Sequence, residues 1–282
     1  MPPLEVFTTE LSAARATVYV RLRGRAPDEG WSLAGEVRGP RCVTSQMLSA
    51  RYELRDLGPG PTTLAGTVLL DPVGWSAALP AVYDVRVEVR QHGVRVEELA
   101  TTLAIRWLDV RGDGIYRENR RVILRGIERA ALESFDPAAL RIGDLAVLRP
   151  RDEEGTAATD YGLLSIADGA ATSAAVGIVV LPPDEFTAER LRAFPPNLLF
   201  ACEADEPAVV PDSAQLVLAN VDEAAAFAAR WKNFTRPILA VRPTSVLPAA
   251  EVRAACDAFR RDLAPFGQFA GYLLRGDRDL GS

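Results

Sequence analysis

The chain has 282 residues, of which 48% are hydrophobic and 25% are charged, which is ordinary usage for a globular protein and excludes a disordered chain. This length suits one large domain or two domains of average size. The formal net charge of -6 argues against a general affinity for polyanions, so nucleic acid is not expected as a partner.

The N-terminal segment, MPPLEVFTTELSAA, has neither a basic start nor an apolar centre, so no signal peptide is predicted. The sequence contains no run of about 18 apolar residues, so neither a transmembrane helix nor a membrane partner is expected. Together these features predict a soluble, cytoplasmic protein.

The first 110 residues are predicted to form β-strands. Ala16–Arg23 and Tyr83–Arg90 alternate strictly between apolar and polar side chains, which is the pattern of a strand with one buried face. Gln91-His92-Gly93 predicts a hairpin turn that leads into a partner strand at Val94–Leu99. Further strands are predicted at Ser32–Arg38, Ser49–Leu54 and Thr63–Leu70. Six or seven short strands in about 100 residues indicate an immunoglobulin-like β-sandwich, which we assign to residues 1–110.

After Asp113 the pattern changes to short apolar runs that alternate with helical or loop segments. The runs are apolar on both faces, as in a parallel sheet covered by helices. They lie at Val122–Ile127, Leu145–Leu148, Leu163–Ala167, Gly177–Leu181, Leu198–Cys202, Leu216–Ala219, Ile238–Val241 and Ala270–Leu274. Up to eight strands in this alternation predict an α/β fold, a (β/α)8-like barrel over residues 111–282, with Gly177–Leu181 either an extra strand or part of a loop.

Three helices are predicted between these runs. Ala249–Leu263 carries apolar residues at helical spacing, Asp222 is a candidate N-cap for AAAFAARW, and Thr187 is a candidate cap for Ala188–Phe194. From Val122 to the end there are 161 residues, whereas a complete barrel typically takes about 250. The barrel is therefore expected to be stripped down or incomplete.

Histidine and cysteine usage excludes several chemistries. His92 is the only histidine, and it falls in the predicted turn, where a surface role is expected. Cys42, Cys202 and Cys256 are widely spaced and are interpreted as buried free thiols. No metal-binding spacing of His and Cys occurs, so no metal and no cofactor is predicted.

Two stretches carry a family resemblance: Trp75 to Val87 reads WSAALPAVYDVRV, and Leu103 to Arg129 reads LAIRWLDVRGDGIYRENRRVILRGIER. They resemble glycoside hydrolase family 2, the β-galactosidase, β-glucuronidase and β-mannosidase group. In that family an immunoglobulin-like domain carries W-x-P-x-x-P-x-L-Y-x-L, and a phrase ending R-G-[VI]-N-R-H enters the first barrel strand. The matching residues are Trp75, Pro80, Tyr83, Arg106, Val110, Gly126 and Arg129.

The resemblance extends to the end of the chain. Leu198–Pro207 looks like the fourth barrel strand of the family, Arg236–Pro243 like the seventh, and Phe266–Asp279 like the eighth. The resemblance thus implies a sandwich followed by a reduced TIM barrel, over roughly residues 58–282.

The resemblance also implies where a glycosidase site would lie. A retaining enzyme needs two carboxyl groups about 5–5.5 Å apart, one a general acid and one a nucleophile. The acid/base position falls on Glu206, with Asp205 beside it and Glu203 as a nearby substitute. The nucleophile position falls on Arg242, whose permanent cation cannot attack an anomeric carbon.

Other positions also lack residues that the family carries in its site. The histidine of R-G-[VI]-N-R-H is Ala130 here, and Leu274 stands where the last strand usually carries tryptophan. Arg125 keeps the position of a family site arginine, and Asp168 is a candidate surviving pocket carboxylate. Arg242 is in turn a candidate ion-pair partner for Glu206, Glu203 or Asp168 across the barrel mouth.

These features predict a degenerate, non-catalytic glycosidase scaffold with a binding or structural role. A carbohydrate is the candidate ligand, and a protein partner stays open. One alternative is an active glycoside hydrolase that pairs Glu206 with Glu203 or Asp168, for which an inverting mechanism would need a gap of about 6.5–9.5 Å. Another is a structural interaction module without a carbohydrate ligand. A third is a generic sandwich followed by an unrelated α/β domain.

Overall fold

The structure is a computed structural model that describes residues 4–25, 27–58, 60–169 and 176–276. The predicted eighth-strand segment, Phe266–Asp279, ends outside these ranges. The chain divides into two compact units, and the main division falls between Arg106 and Trp107. No helix within the described ranges is both long and apolar enough to cross a membrane.

The first unit is a seven-stranded antiparallel sheet that curls on itself. Its strands are β1 (Leu4–Thr9), β2 (Arg15–Leu22), β3 (Trp31–Arg41), β4 (Ala50–Asp56), β5 (Thr63–Leu70), β6 (Val82–Gln91) and β7 (Val94–Leu103). They lie in the order β1-β2-β5-β4-β3-β6-β7. Strand β4 pairs with β3 along residues 50–54 and with β5 at residues 55–56, so it joins the two halves of the sheet.

Six of these strands were predicted. In β2 and β6 alternating apolar residues mark the buried face, whereas β7 is mostly exposed and was predicted from the turn that precedes it. His92 and Gly93 form the predicted turn between β6 and β7, with φ angles of 50° and 80°. Strand β1 was missed because it buries a charged residue: Glu5 is 6% exposed, and its Oε2 accepts a hydrogen bond from Arg21 Nε at 2.7 Å. A buried carboxylate interrupts the alternation of apolar and polar residues on which the prediction depends.

The second unit begins with a small antiparallel sheet and continues as a closed parallel barrel. The small sheet consists of β8 (Leu108–Arg111), β9 (Gly114–Arg117) and β10 (Arg120–Val122). The barrel strands are β11 (Leu124–Glu128), β12 (Ala146–Leu148), β13 (Leu164–Asp168), β14 (Val176–Leu181), β15 (Leu199–Glu203), β16 (Leu216–Asn220), β17 (Ile238–Thr244) and β18 (Gly271–Gly276). Each pairs in parallel with its neighbour, and β18 closes on β11.

The barrel is therefore complete in strands and reduced in helices. The helices are α1 (Pro137–Ile142), α2 (Asp152–Asp160), α3 (Ala188–Arg192), α4 (Ala224–Trp231) and α5 (Ala249–Leu263). Only α5 is long; it buries Val252, Cys256, Phe259 and Leu263 against the barrel. A single 3-10 turn, Pro207–Val209, lies between β15 and β16. Shortened crossovers explain how about two-thirds of the usual barrel length can close eight strands.

The structure tests several details of the sequence-based prediction. Gly177–Leu181 belongs to the fourth barrel strand, so Leu198–Cys202 lies in the fifth and not the fourth. Asp222 is not the N-cap of α4, because Glu223 occupies that position without a side-chain cap bond. Thr187 does cap α3, accepting from Arg190 N at 3.1 Å. Cys202 and Cys256 are buried thiols, but Cys42 is partly exposed.

Candidate functional site at the barrel mouth

The C-terminal ends of the barrel strands carry a cluster of charged side chains, which we call the mouth network: Glu128, Arg149, Asp168, Glu203 and Arg275. Each residue lies at or just beyond the end of a strand, on the side of the barrel where (β/α) enzymes place their active sites. The network brings three carboxylates and two guanidinium groups together.

Arg149 is the centre of the mouth network. Its Nη1 donates to Glu128 Oε1 at 2.7 Å, its Nε to Asp168 Oδ2 at 2.7 Å, and its Nη2 to Glu203 Oε2 at 3.0 Å. One guanidinium group therefore engages every carboxylate of the network. Its planar fork of five N–H groups is suited to this task, which the single ammonium of a lysine could not perform in the same way.

Arg275 supplies the second cation. Its side chain is 7% exposed, and its Nη1 donates to Glu203 Oε1 at 2.6 Å and to Asn220 Oδ1 at 3.2 Å. Glu203 thus has both oxygens occupied, one by each arginine. Both oxygens of Glu128 are also occupied, because Oε1 accepts from Arg149 and Oε2 accepts from the Gly276 backbone N–H at 3.0 Å. The nitrogens Nε and Nη2 of Arg275 are buried and make no hydrogen bond within the described residues.

The electrostatics of Arg149 are those of a fixed cation. Burial alone would lower the pKa of the Arg149 guanidinium, but hydrogen bonds to Asp168 and Glu128 and the nearby Glu203 charge raise that pKa above its usual value. Arg149 also has a φ of 53°, a left-handed conformation that costs a residue with a Cβ about 1–2 kcal/mol. The contacts of the mouth network hold Arg149 in this conformation.

Two residues that the resemblance placed in the site lie on the outer face instead. Arg125 Nε binds Asp257 Oδ1 at 2.7 Å, and Arg242 Nη1 binds Asp262 Oδ2 at 2.7 Å. Both aspartates are on α5, which covers the outside of the barrel. The Arg242 guanidinium also lies 4.1 Å from the ring centroid of Phe259. The expected pairing of Arg242 with Glu206, Glu203 or Asp168 is therefore wrong.

Strand geometry explains this placement. Side chains alternate between the two faces of a strand, and Arg125 and Arg242 fall on the same outward set as buried Ile127 and Ala240. Arg275 follows outward-facing Leu274, and Glu203 follows outward-facing Cys202, so both point to the interior side.

Two further predicted site residues, Asp205 and Glu206, lie in the loop after β15. Glu206 has a side chain 63% exposed and an ion pair with Arg230 Nε at 3.6 Å. Asp205 Oδ1 accepts from Asn220 Nδ2 at 3.0 Å. Asp168 and Glu203 were predicted as pocket carboxylates, and both belong to the mouth network. Whether any of these carboxylates has a catalytic role stays a prediction.

Sequence reasoning missed Glu128, Arg149 and Arg275 as site residues. A signal was available: each apolar run of the second unit that supplies the network is followed at once, or after one residue, by a charged residue. A charge at the C-terminal end of a parallel strand points to the mouth of a barrel. The described residues hold no group of three His, Cys, Asp or Glu side chains arranged to bind a metal ion.

Comparison with protein-family models gave no match, and neither did comparison with curated proteins. Solved structures of β-glucuronidases do match the fold. The enzyme from Ruminococcus gnavus, in complex with N1-substituted uronic isofagomine, matches 96% of this chain with a TM-score of 0.62 at 13% identity. β-Glucuronidase 2 from Bacteroides uniformis, covalently bound to cyclophellitol-6-carboxylate aziridine, matches 96% with a TM-score of 0.59 at 12% identity.

A third similar structure is the β-glucuronidase of Parabacteroides merdae, which matches 98% of this chain with a TM-score of 0.61 at 11% identity. The chain spans 60%, 45% and 47% of these three structures in turn, so it corresponds to about half of each. At such identities the comparison shows a distant likeness in fold to glycoside hydrolases, over nearly the whole of this chain.

Proposed function

We propose that this chain is a degenerate glycosidase scaffold, with a barrel that has a binding or structural role and does not catalyse glycoside hydrolysis. The observation that carries the proposal is the engagement of Glu128, Asp168 and Glu203 by the one guanidinium group of Arg149. A carboxylate that is already an ion-pair partner is not available to a sugar.

Glycosidase chemistry requires one carboxyl group to hold a proton and another to face the anomeric carbon. The Arg149 guanidinium group hydrogen-bonds Glu128, Asp168 and Glu203 and occupies the space between them, where a substrate would have to lie. This arrangement supports a mouth that is closed by its own side chains.

The proposal extends to the domains. We assign residues 1–110 to an immunoglobulin-like domain and residues 111–282 to a glycosidase-related barrel. The strand order of the first unit supports the first assignment, because immunoglobulin domains pair strands A-B-E-D and C-F-G, the order that β1-β2-β5-β4 and β3-β6-β7 reproduce. Tyr83 near the start of β6 adds support, since its hydroxyl accepts from Val73 N at 2.9 Å, as in the tyrosine corner of such domains.

The ligand of a degenerate scaffold of this kind would be a carbohydrate. This part of the proposal rests on the likeness to β-glucuronidases solved with sugar-like inhibitors. The alternative, an active hydrolase, would rely on the carboxylates that the solvent reaches most easily, Asp168 and Glu206, with side chains 51% and 63% exposed.

A turnover assay with 4-nitrophenyl β-glycosides, including the glucuronide and the galactoside, tests the proposal. We expect no release of nitrophenol above a buffer blank from the wild type, from Glu206→Gln or from Arg242→Glu. Arg242→Glu is informative because its side chain lies on the outer face, so it should not create a nucleophile in the mouth. Turnover by the wild type that is lost in Glu206→Gln would overturn the proposal.

A glycan array then separates the two remaining roles. Binding of any glycan by the catalytically silent wild type would support a lectin-like role. Absence of binding across the array would favour the structural role without a carbohydrate ligand.

A further inference from the structure

The opposite end of the barrel carries a second concave feature, which we call the basal pocket. It has a volume of about 220 Å³ and lies where α4 ends, β17 begins and the segment between α5 and β18 passes. Trp231, Phe234, Phe266 and Phe269 line it together with Lys232 and Arg236. All of these residues belong to the second unit, and none belongs to the mouth network.

The walls of the basal pocket are aromatic. Trp231 and Phe269 are buried and form part of a ring cluster, with Trp231 and Phe234 packed edge to face at a centroid distance of 5.0 Å. Phe266, in contrast, is 48% exposed, although it is a large apolar side chain. Aromatic walls with one exposed ring suit a planar, apolar ligand body that would cover that ring.

Two cations at the basal pocket have unused hydrogen-bonding capacity. Arg236 is held in place because its Nη1 donates to the carbonyl oxygens of Pro211 and Ala214 at 2.6 and 2.8 Å. Its other nitrogens make no hydrogen bond among the described residues, and the guanidinium group lies over the Phe234 ring, 4.9 Å from the centroid. The ammonium of Lys232, the only lysine of the chain, has no partner among the described residues. The pocket's carboxylate, Asp113, already pairs with Arg121 at 3.3 Å.

From these features we propose that the basal pocket binds a small aromatic carboxylate, with its ring against Phe266 and its carboxylate at Lys232 and Arg236. The volume sets the size of the ligand, because drug-sized ligands occupy pockets of roughly 300–1,000 Å³. A single ring with one anionic group fits the space, and an oligosaccharide does not. The proposal does not depend on the activity or inactivity of the mouth.

Ligand-observed fluorine NMR on the full chain tests the proposal, with 4-fluorobenzoate as the probe. We expect saturable broadening of the probe signal. The neutral analogue 4-fluorobenzamide, which has nearly the same size, should bind at least about tenfold more weakly, because it lacks the charge that Lys232 and Arg236 recognise.

Two variants at exposed positions separate the ring and charge contributions. Lys232→Gln and Phe266→Ala should each weaken binding of 4-fluorobenzoate about fivefold, a loss expected for one charge-assisted or stacking contact that solvent reaches. Arg261→Gln is the matched control, since it removes an exposed cation on α5 that does not line the pocket and should leave the affinity unchanged.

Several results would overturn the proposal. These are an absence of saturable binding by the wild type, equal affinities for the benzoate and the benzamide, or equal losses in Arg261→Gln and Lys232→Gln. Unfolding midpoints for the variants would confirm that each is folded. The exposure of Lys232 and Phe266 makes retention of the fold the expected result.

Discussion

The mouth and the outer face of the same barrel both rely on arginine–carboxylate pairs, but they arrange them differently. On the outer face each strand arginine pairs with one aspartate on α5: Arg125 with Asp257, which Arg253 of the same helix also contacts, and Arg242 with Asp262. At the mouth Arg149 engages three carboxylates and shares one of them with Arg275. The outer pairs tie strands to a helix, whereas the mouth network links the ends of several strands to one another.

The difference has an energetic consequence. A separate, solvent-exposed ion pair contributes about 0–1 kcal/mol, because water screens it and two side chains lose freedom. A partly buried network in which one cation serves several anions is coupled, so removing that cation leaves several carboxylates uncompensated. The two regions should therefore respond differently to the same kind of substitution.

The largest expected effect comes from Arg149→Met, which removes the cation and keeps much of the side-chain length. We expect a loss of about 3 kcal/mol in the free energy of unfolding, because Glu128 and Glu203, which are largely buried, and the more exposed Asp168 lose their common partner. The matched substitution on the outer face, Arg242→Met, should cost about 1 kcal/mol or less, since Asp262 is 57% exposed and can be solvated. Urea unfolding of the two variants measures the difference, and equal losses would contradict the distinction between the regions.

Cysteine reactivity gives a second test of the two regions, because Cys202 on the outer face directly precedes Glu203 of the mouth network. Burial raises the pKa of the Cys202 thiol to about 11, and burial also raises the pKa of Cys256 to about 11. At pH 8 we expect a disulfide reagent to modify only Cys42 rapidly in the native protein, and all three thiols after denaturation. Rapid modification of Cys202 in the native state would show that the reagent reaches this thiol and would contradict its burial.

The same shifts predict how stability changes in alkali. Because the pKa of the Cys202 thiol is higher in the folded than in the unfolded state, the thiol ionises first in the unfolded state. The contribution of the protonated thiol to the unfolding free energy is therefore fully present below about pH 8.5 and is lost as the pH rises towards 11. The fall in unfolding free energy between pH 8 and pH 10.5 should be smaller in Cys202→Ala than in Cys42→Ala. Equal falls would contradict the burial of Cys202.

The smallest expected effect concerns Asp257 on the outer face. Burial alone would raise the pKa of Asp257, but hydrogen bonds from Arg125 and Arg253 outweigh it and lower that pKa. A lowered pKa gives stability that is present above the unfolded value near 3.9 and is lost as the pH falls through the folded value. Asp257→Asn should therefore cost about 0.5 kcal/mol at pH 6, a small value because a side chain 35% exposed is screened by solvent.

The cost of Asp257→Asn should shrink as the pH falls below 4, where the wild-type carboxylate also becomes neutral. A cost for Asp257→Asn that stayed constant from pH 6 to pH 3 would contradict a role for its charge.

The strands were predictable because their sequences report burial directly, by alternation in the first unit and by continuous apolar runs in the second. The direction of the side chains in the barrel was not predictable in the same way. A strand that is apolar on both faces has no period-two signal, so nothing local shows that Arg242 points to α5 and Arg275 to the interior side. The family motif placed Arg125 in the site, whereas in the structure its side chain pairs with Asp257 on α5.

The shift in strand numbering has a similar cause. In the sequence Gly177–Leu181 resembles a loop as much as a strand, because only the nine residues 168–176 separate it from the preceding run, fewer than a helix of average length requires. Once Gly177–Leu181 is counted as a strand, Leu198–Cys202, which the resemblance assigned to the fourth strand, lies in the fifth. Five of the eight runs are followed directly by a charged residue of the mouth network, but the network forms only because closure of the barrel places those strand ends side by side.

The unfolding free energy of Glu203→Gln tests the central claim most directly. Catalytic carboxylates are held in sites that cost stability, so their replacement in an active enzyme typically leaves the fold unchanged or more stable. In the mouth network Glu203 bonds both arginines, at 3.0 and 2.6 Å, so its replacement should lower the unfolding free energy by about 2 kcal/mol. A variant as stable as the wild type, or more stable, would contradict a mouth in which the carboxylates serve the structure and not a reaction.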